Sequence, residues 1–117
     1  MAQEEGKAQE EGKERRKATT VSGYYYTFKK VKQYADQNGM KVAFIIDRAV
    51  QCLQEHPEYL EKNINIPNDE VSRLERAVSI HPDFYKVVKE LSKTRGMNVR
   101  DVIARAVECY FDHYAKW

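Results

Sequence analysis

One stretch of this chain is written twice, at a constant offset of 57 residues. Asn38-Gly39-Met40-Lys41-Val42-Ala43-Phe44-Ile45-Ile46-Asp47-Arg48-Ala49-Val50-Gln51-Cys52-Leu53 lies over Arg95-Gly96-Met97-Asn98-Val99-Arg100-Asp101-Val102-Ile103-Ala104-Arg105-Ala106-Val107-Glu108-Cys109-Tyr110. Gly, Met, Val, Ile, Arg, Ala, Val and Cys coincide. Upstream and without a gap, Lys29 faces Lys86, Val31 faces Val88, Lys32 faces Lys89 and Tyr34 faces Leu91, and further up Val21-Ser22 faces Val78-Ser79. Chance likeness between two amphipathic helices does not hold one register that far, so the repeat marks a duplicated structural unit. A chain of 117 residues is short for two independent domains, so the two units are expected to share one core.

Each copy reads as strand, helix, turn, helix. In the second, Val78 and Ile80 alternate with Ala77 and Ser79, the pattern of a short two-faced strand. Pro82 suits the first position of a helix and Asp83 its first turn, with His81 as a helix-start residue. Phe84, Val87, Val88 and Leu91 then follow at helical spacing, and Gly96 supplies the left-handed stop. A second helix runs from about Val99 to about His113, with Val99, Val102, Ile103, Ala106, Val107 and Tyr110 on one face. The first copy repeats the plan with Phe28, Val31, Tyr34 and Ala35, then Gly39. Val42, Ile45, Ile46, Ala49, Val50 and Leu53 follow, ending near His56-Pro57. Its strand is less regular, because Gly23 stands where the second copy has Ile80. Tyr24-Tyr25-Tyr26 offers a strand extension with Thr27 as the helix N-cap.

The expected organisation is a disordered arm over 1–17, a first unit over 18–57, a linker over 58–72 and a second unit over 73–117. The arm repeats Ala-Gln-Glu-Glu-Gly-Lys and has no large apolar residue after Met1, so it cannot bury enough surface to offset the entropy of ordering. It ends in Arg15-Arg16-Lys17, either a solvated cluster or a contact for an anionic partner. The linker is polar and broken by Pro67; Tyr59 and Leu60 can continue the preceding helix, and Ile64 and Ile66 can pack back. No apolar run approaches the ~20 residues that span a bilayer, and the polar, acidic N-terminus does not read as a secretory signal, which makes the cytoplasm the expected compartment. Cys52 and Cys109 sit in apolar helical stretches, without a CxxC; they do not suggest a disulfide scaffold and read as small buried side chains. The scattered histidines give no metal-ligand spacing, so neither metal nor cofactor is expected. No Gly-rich phosphate loop or nucleophile–base pairing is present, so enzymatic activity is not expected.

Two residue blocks carry a family resemblance. Arg76-Ala77-Val78-Ser79-Ile80-His81-Pro82-Asp83 resembles the strand and helix start of the ribbon-helix-helix repressors, the Arc, MetJ and CopG group. Arg95-Gly96-Met97-Asn98-Val99-Arg100-Asp101-Val102-Ile103-Ala104-Arg105-Ala106-Val107 resembles their turn and second helix. The likeness covers about 73–112 well and about 18–55 with a weaker strand. A tandem copy in one chain is similar to regulators encoded by archaeal filamentous viruses. The resemblance implies a mainly α fold with a short two-stranded antiparallel ribbon, the two copies forming an intramolecular pseudo-dimer. It implies a transcriptional regulator, in the manner of a repressor, bound to double-stranded DNA with the ribbon in the major groove, and open to self-association along DNA.

On that reading, alternation places Val21, Val78 and Ile80 inward. Thr20, Ser22 and Tyr24 of one strand, and Glu75, Ala77 and Ser79 of the other, then face the bases. This set departs from the family's usual long basic or amide side chains, and Glu75 would repel phosphate. Phosphate contacts fall at the start of each second helix, where free N–H groups and the helix dipole suit an anion: Met40, Lys41 and Val42, and Met97, Asn98, Val99 and Arg100. Net charge is only +2, but 73–117 carries nine basic and six acidic residues against six and seven in 19–72, making the second half the better footprint on phosphate. Arg48 and Arg105, at equivalent positions, read as structural, through a carboxylate pair or a helix-end contact. The eight tyrosines suit packing better than stacking on single-stranded bases. Two other functions compete: an antitoxin-like module that binds a protein partner, and a purely structural helical protein.

Overall fold

The computed structural model describes residues 19–115; the expected arm, with Arg15, Arg16 and Lys17, lies outside them. Within that span run β1 (Thr19–Tyr24), α1 (Tyr25–Asn38), α2 (Val42–Glu55), a short 3-10 helix (Pro57–Glu61), β2 (Glu75–Ile80), α3 (Pro82–Arg95) and α4 (Val99–His113). The fold is mainly helical, with β1 and β2 forming one two-stranded antiparallel sheet. Val21 lies opposite Val78, and the pairing runs from Thr19 opposite Ile80 to Tyr24 opposite Glu75. The central pair consists of repeat-equivalent residues. Repeat-equivalent residues thus face one another, the register that a two-fold relation between the copies would give.

The same relation recurs among the helices. α2 packs against α4, and the Sγ atoms of Cys52 and Cys109 stand 2.7 Å apart. One turn on, the rings of His56 and His113 stack at 3.9 Å and 9°. Both pairs are 57 residues apart, so the repeat extends past Leu53 to these histidines. Around this seam Ile45, Ile46, Ala49, Val50 and Leu53 meet Val102, Ile103, Ala106, Val107 and Tyr110, all buried, with Val21, Val78 and Ile80 closing the core beneath the ribbon. Full burial of each such aliphatic side chain contributes about 1.5–3 kcal/mol. α1 adds Val31, Tyr34 and Ala35, whereas α3 fully buries only Val88.

The helix ends follow their residues. Gly39 and Gly96 adopt φ of 62° and 63°, the left-handed conformation that ends α1 and α3 and that a side chain disfavours. Pro82 opens α3, and the His81 Nδ1 accepts from the Asp83 N–H at 3.1 Å. The start of α1 differs from expectation. Tyr24 ends the strand, the helix begins at Tyr25, and Thr27 is buried in the first turn instead of capping it. The reason is a cap from elsewhere: the Tyr25 and Tyr26 N–H groups donate to the carbonyls of Leu74 (2.8 Å) and Ser72 (3.1 Å). With those orphan donors satisfied by the incoming linker, no hydroxyl is needed. The linker is itself anchored. Tyr59 and Leu60 are buried in the 3-10 helix, Ile64 and Ile66 are half-buried, and Asp69 accepts from the Ser72 N–H and hydroxyl at 2.8 and 2.9 Å.

Among the described residues no helix is long and apolar enough to cross a membrane.

Candidate nucleic-acid interface

The register turns the six expected ribbon residues into three cross-strand pairs on one face: Thr20 with Ser79, Ser22 with Ala77, and Tyr24 with Glu75. Thr20, Glu75, Ala77 and Ser79 are exposed and Ser22 is half-buried. Tyr24 departs from expectation. It is only 8% exposed, because its ring lies beneath the Arg100 guanidinium (5.6 Å) and its hydroxyl donates to Asp101 Oδ1 at 2.8 Å. Burial, and then the hydrogen bond to Asp101, raise its pKa above the ordinary tyrosine value. Tyr24 therefore anchors the ribbon to α4 and is not part of the exposed strip.

That strip is short-chained: two hydroxyls from Thr20 and Ser79, one from Ser22, and the Ala77 methyl. Its charged end is already engaged. Glu75 Oε2 accepts from Arg100 Nη1 at 2.8 Å, and Glu75 Oε1 accepts from the Ser22 hydroxyl at 3.3 Å. Strand and helix N-terminus are thus joined through one carboxylate. Arg76, the neighbouring ribbon residue, points to the other side, where its guanidinium lies 4.4 Å from the Phe28 ring centroid.

The two second-helix N-termini are unlike. At α2, Lys41 is the N-cap residue, its side chain makes no cap hydrogen bond, and the first turn holds no acidic residue. Lys41 is exposed and forms no ion pair among the described residues. Val42 follows, half-buried. At α4, exposed Asn98 is the N-cap residue, again without a side-chain cap bond, followed by half-buried Val99 and Arg100. Here Asp101 sits in the first turn, and Arg100 is committed to Glu75. Local charge therefore favours an anion more at α2 than at α4, the reverse of what the charge of the two halves implies.

Other expected roles resolve as packing. Arg48 and Arg105 form no carboxylate pair among the described residues. The Arg105 Nη1 donates to the Asp101 carbonyl at 3.3 Å, its Nε is buried without a partner, and Arg48 lies 5.7 Å from the Phe44 ring. Their equivalence comes from the repeat, not from a shared contact. Tyr34 packs edge-on to Tyr110 at 6.1 Å. Tyr59 donates to Asp112 (2.7 Å) and Tyr114 donates to Glu55 (2.9 Å), two carboxylates that are themselves repeat equivalents. Among the described residues no group of three or more His, Cys, Asp or Glu residues could hold a metal.

The Glu75–Arg100 bridge escaped sequence reasoning. Alternation puts Glu75 on the outer face, but that this end of the ribbon lies beside the α4 start is set by the tertiary fold. Comparison of the chain with protein-family models, with curated proteins and with solved structures gives no match in any of the three.

Proposed function

We propose that this chain is a sequence-specific double-stranded DNA-binding transcriptional regulator, a tandem ribbon-helix-helix pseudo-dimer within one polypeptide. The observation that carries the reading is the antiparallel ribbon with Val21 opposite its repeat equivalent Val78, its inner side buried and its outer side a largely exposed strip of small side chains. A two-stranded ribbon of this kind fits the major groove, about 12 Å wide, where each base pair shows a distinct donor and acceptor pattern. Thr20, Ser22 and Ser79 would exchange hydrogen bonds with base edges, and the Ala77 methyl would meet a thymine methyl. Glu75 would accept from a cytosine amino group after leaving Arg100. Lys41 and Val42, and Asn98, Val99 and Arg100, would hold phosphates through backbone N–H groups and charge. Tyr24 has a supporting role here, fixing the position of Arg100.

Footprinting on the DNA upstream of its own gene tests this directly. A protected site of defined length, with affinity falling as salt rises, is expected. Two to four phosphate contacts would give a slope of log K on log salt of about −2 to −4. Affinity that stays constant between low and moderate salt sinks the reading.

A further inference from the structure

The thiol pair on the seam between the repeats has no part in DNA contact, yet its geometry is specific. Cys52 and Cys109 are 1% and 0% exposed and their sulfurs stand 2.7 Å apart, against about 2.05 Å in an S–S bond. Cys52 lies on α2 and Cys109 on α4, so the contact joins the two units at equivalent positions. The neighbouring His56 and His113 do not turn the cluster into a metal centre. Their rings meet face to face at 3.9 Å and 9°, so their in-plane lone pairs lie in two separate parallel planes and do not converge on one ion.

We propose that Cys52 and Cys109 are an intramolecular disulfide site that covalently ties the first repeat to the second. The oxidant is a small-molecule disulfide. One cysteine thiolate attacks it, breaks its S–S bond and expels half of it as a thiolate, leaving a mixed disulfide on the protein. The second cysteine then attacks the protein sulfur of that mixed disulfide and expels the other half. One S–S bond is lost and one gained. Two electrons pass from the protein thiols to the oxidant, and the two sulfhydryl protons end on the two released thiols. Burial pushes both thiols up, so few thiolates form while the seam is closed. The reaction therefore runs during folding, or when the last turn of α4 opens, since Cys109 lies one turn before His113. Once made, the bond is shielded from reductant by the same burial. It closes the loop from Cys52 to Cys109, which holds the linker, β2 and α3, and removes much of the unfolded chain's freedom.

The test uses the full-length chain, refolded from its reduced, denatured state with either glutathione disulfide or a strong reductant. The oxidised sample is expected to lose both titratable thiols and about 2 Da, to remain a monomer without reductant, and to melt at least ~10 °C above the reduced one. Reductant added in denaturant should reverse all of this. Cys52→Ala and Cys109→Ala should each block the mass loss and the Tm rise. The wild-type comparison with and without oxidant stands alone if either variant folds poorly. Two thiols persisting after oxidative refolding, a cross-link between chains, or an oxidised product whose Tm does not rise would each overturn the proposal.

Discussion

Replacing Glu75 by Gln is the sharpest probe of the proposed interface. The change is nearly isosteric and keeps an acceptor for Ser22, but removes the charge that holds Arg100 at 2.8 Å. The two side chains are 59% and 32% exposed, so the pair belongs with surface ion pairs contributing about 0.2–1 kcal/mol. Folding should lose no more than that, a Tm fall of at most ~8 °C for a domain this size. DNA binding should move the other way. A phosphate about 5 Å from the Glu75 carboxylate repels it by roughly 0.8 kcal/mol in water. Freeing Arg100 from its partner returns a further 0.2–1 kcal/mol. Together these predict binding to random duplex tighter by about five- to twentyfold at low salt. The salt slope should steepen by at most about 0.9, because the Arg100 charge is no longer neutralised by Glu75. Fluorescence anisotropy with a labelled duplex over a salt series reads both quantities. If Glu75→Gln leaves affinity and slope unchanged, neither Glu75 nor Arg100 lies at a DNA surface.

Other outcomes follow from the same geometry. Ser22→Ala combined with Ser79→Ala should reduce discrimination between specific and random DNA more than it reduces total binding; competition titrations measure the ratio, and equal losses would argue against base reading by the ribbon. Gly23→Ala should be neutral or raise stability by about 0.4–1 kcal/mol, because the added Cβ meets only Ile103 Cγ2 at 3.7 Å and the Arg76 carbonyl at 3.9 Å. Gly96→Ala should instead destabilise by about 1 kcal/mol despite open space, since φ is 63°; urea melts separate the two. Stability should also fall at alkaline pH. Tyr24, Tyr59 and Tyr110 have raised pKa values in the fold: Tyr24 and Tyr110 chiefly through burial, Tyr59 chiefly through its bond to Asp112. Their contribution is complete below the unfolded value near 10 and is lost above it, at about 1.4 kcal/mol per pH unit for each tyrosine still protonated in the fold. Denaturant midpoints from pH 8 to 12 should show the fall, and Tyr59→Phe should make it shallower.

The helices were legible because their information is local. Apolar residues at helical spacing, Gly39, Gly96 and Pro82 set the end of α1 and the span of α2 to α4 within a residue or two, and the inward place of Val21, Val78 and Ile80 followed from alternation. The start of α1 was not legible. Its cap comes from the carbonyls of Ser72 and Leu74, nearly fifty residues away and carrying no side-chain signature. Thr27, a good cap by residue type, lost to that backbone solution. The site was half legible for a similar reason. Which residues share the outer face is a matter of period two, but Tyr24 is covered by Arg100, and Arg100 is held by Glu75, through contacts between strand and helix that no single segment encodes. The histidine stack was readable in principle, since the repeat carries on from Cys52 and Cys109 to His56 and His113.

The pairing of Val21 with Val78 has one more consequence. Around that centre the backbone is nearly blind to direction, whereas the outward side chains are not: Thr20 lies across from Ser79, Ser22 from Ala77, and Tyr24 from Glu75. Two identical subunits would present the same face after a half turn, and so could not tell one strand's 5′ end from the other's. On the DNA-binding reading, this chain can sit on a site in a single orientation and point toward one of two divergent genes. A mutation in one strand would alter one half-site alone, leaving the other free to keep its target.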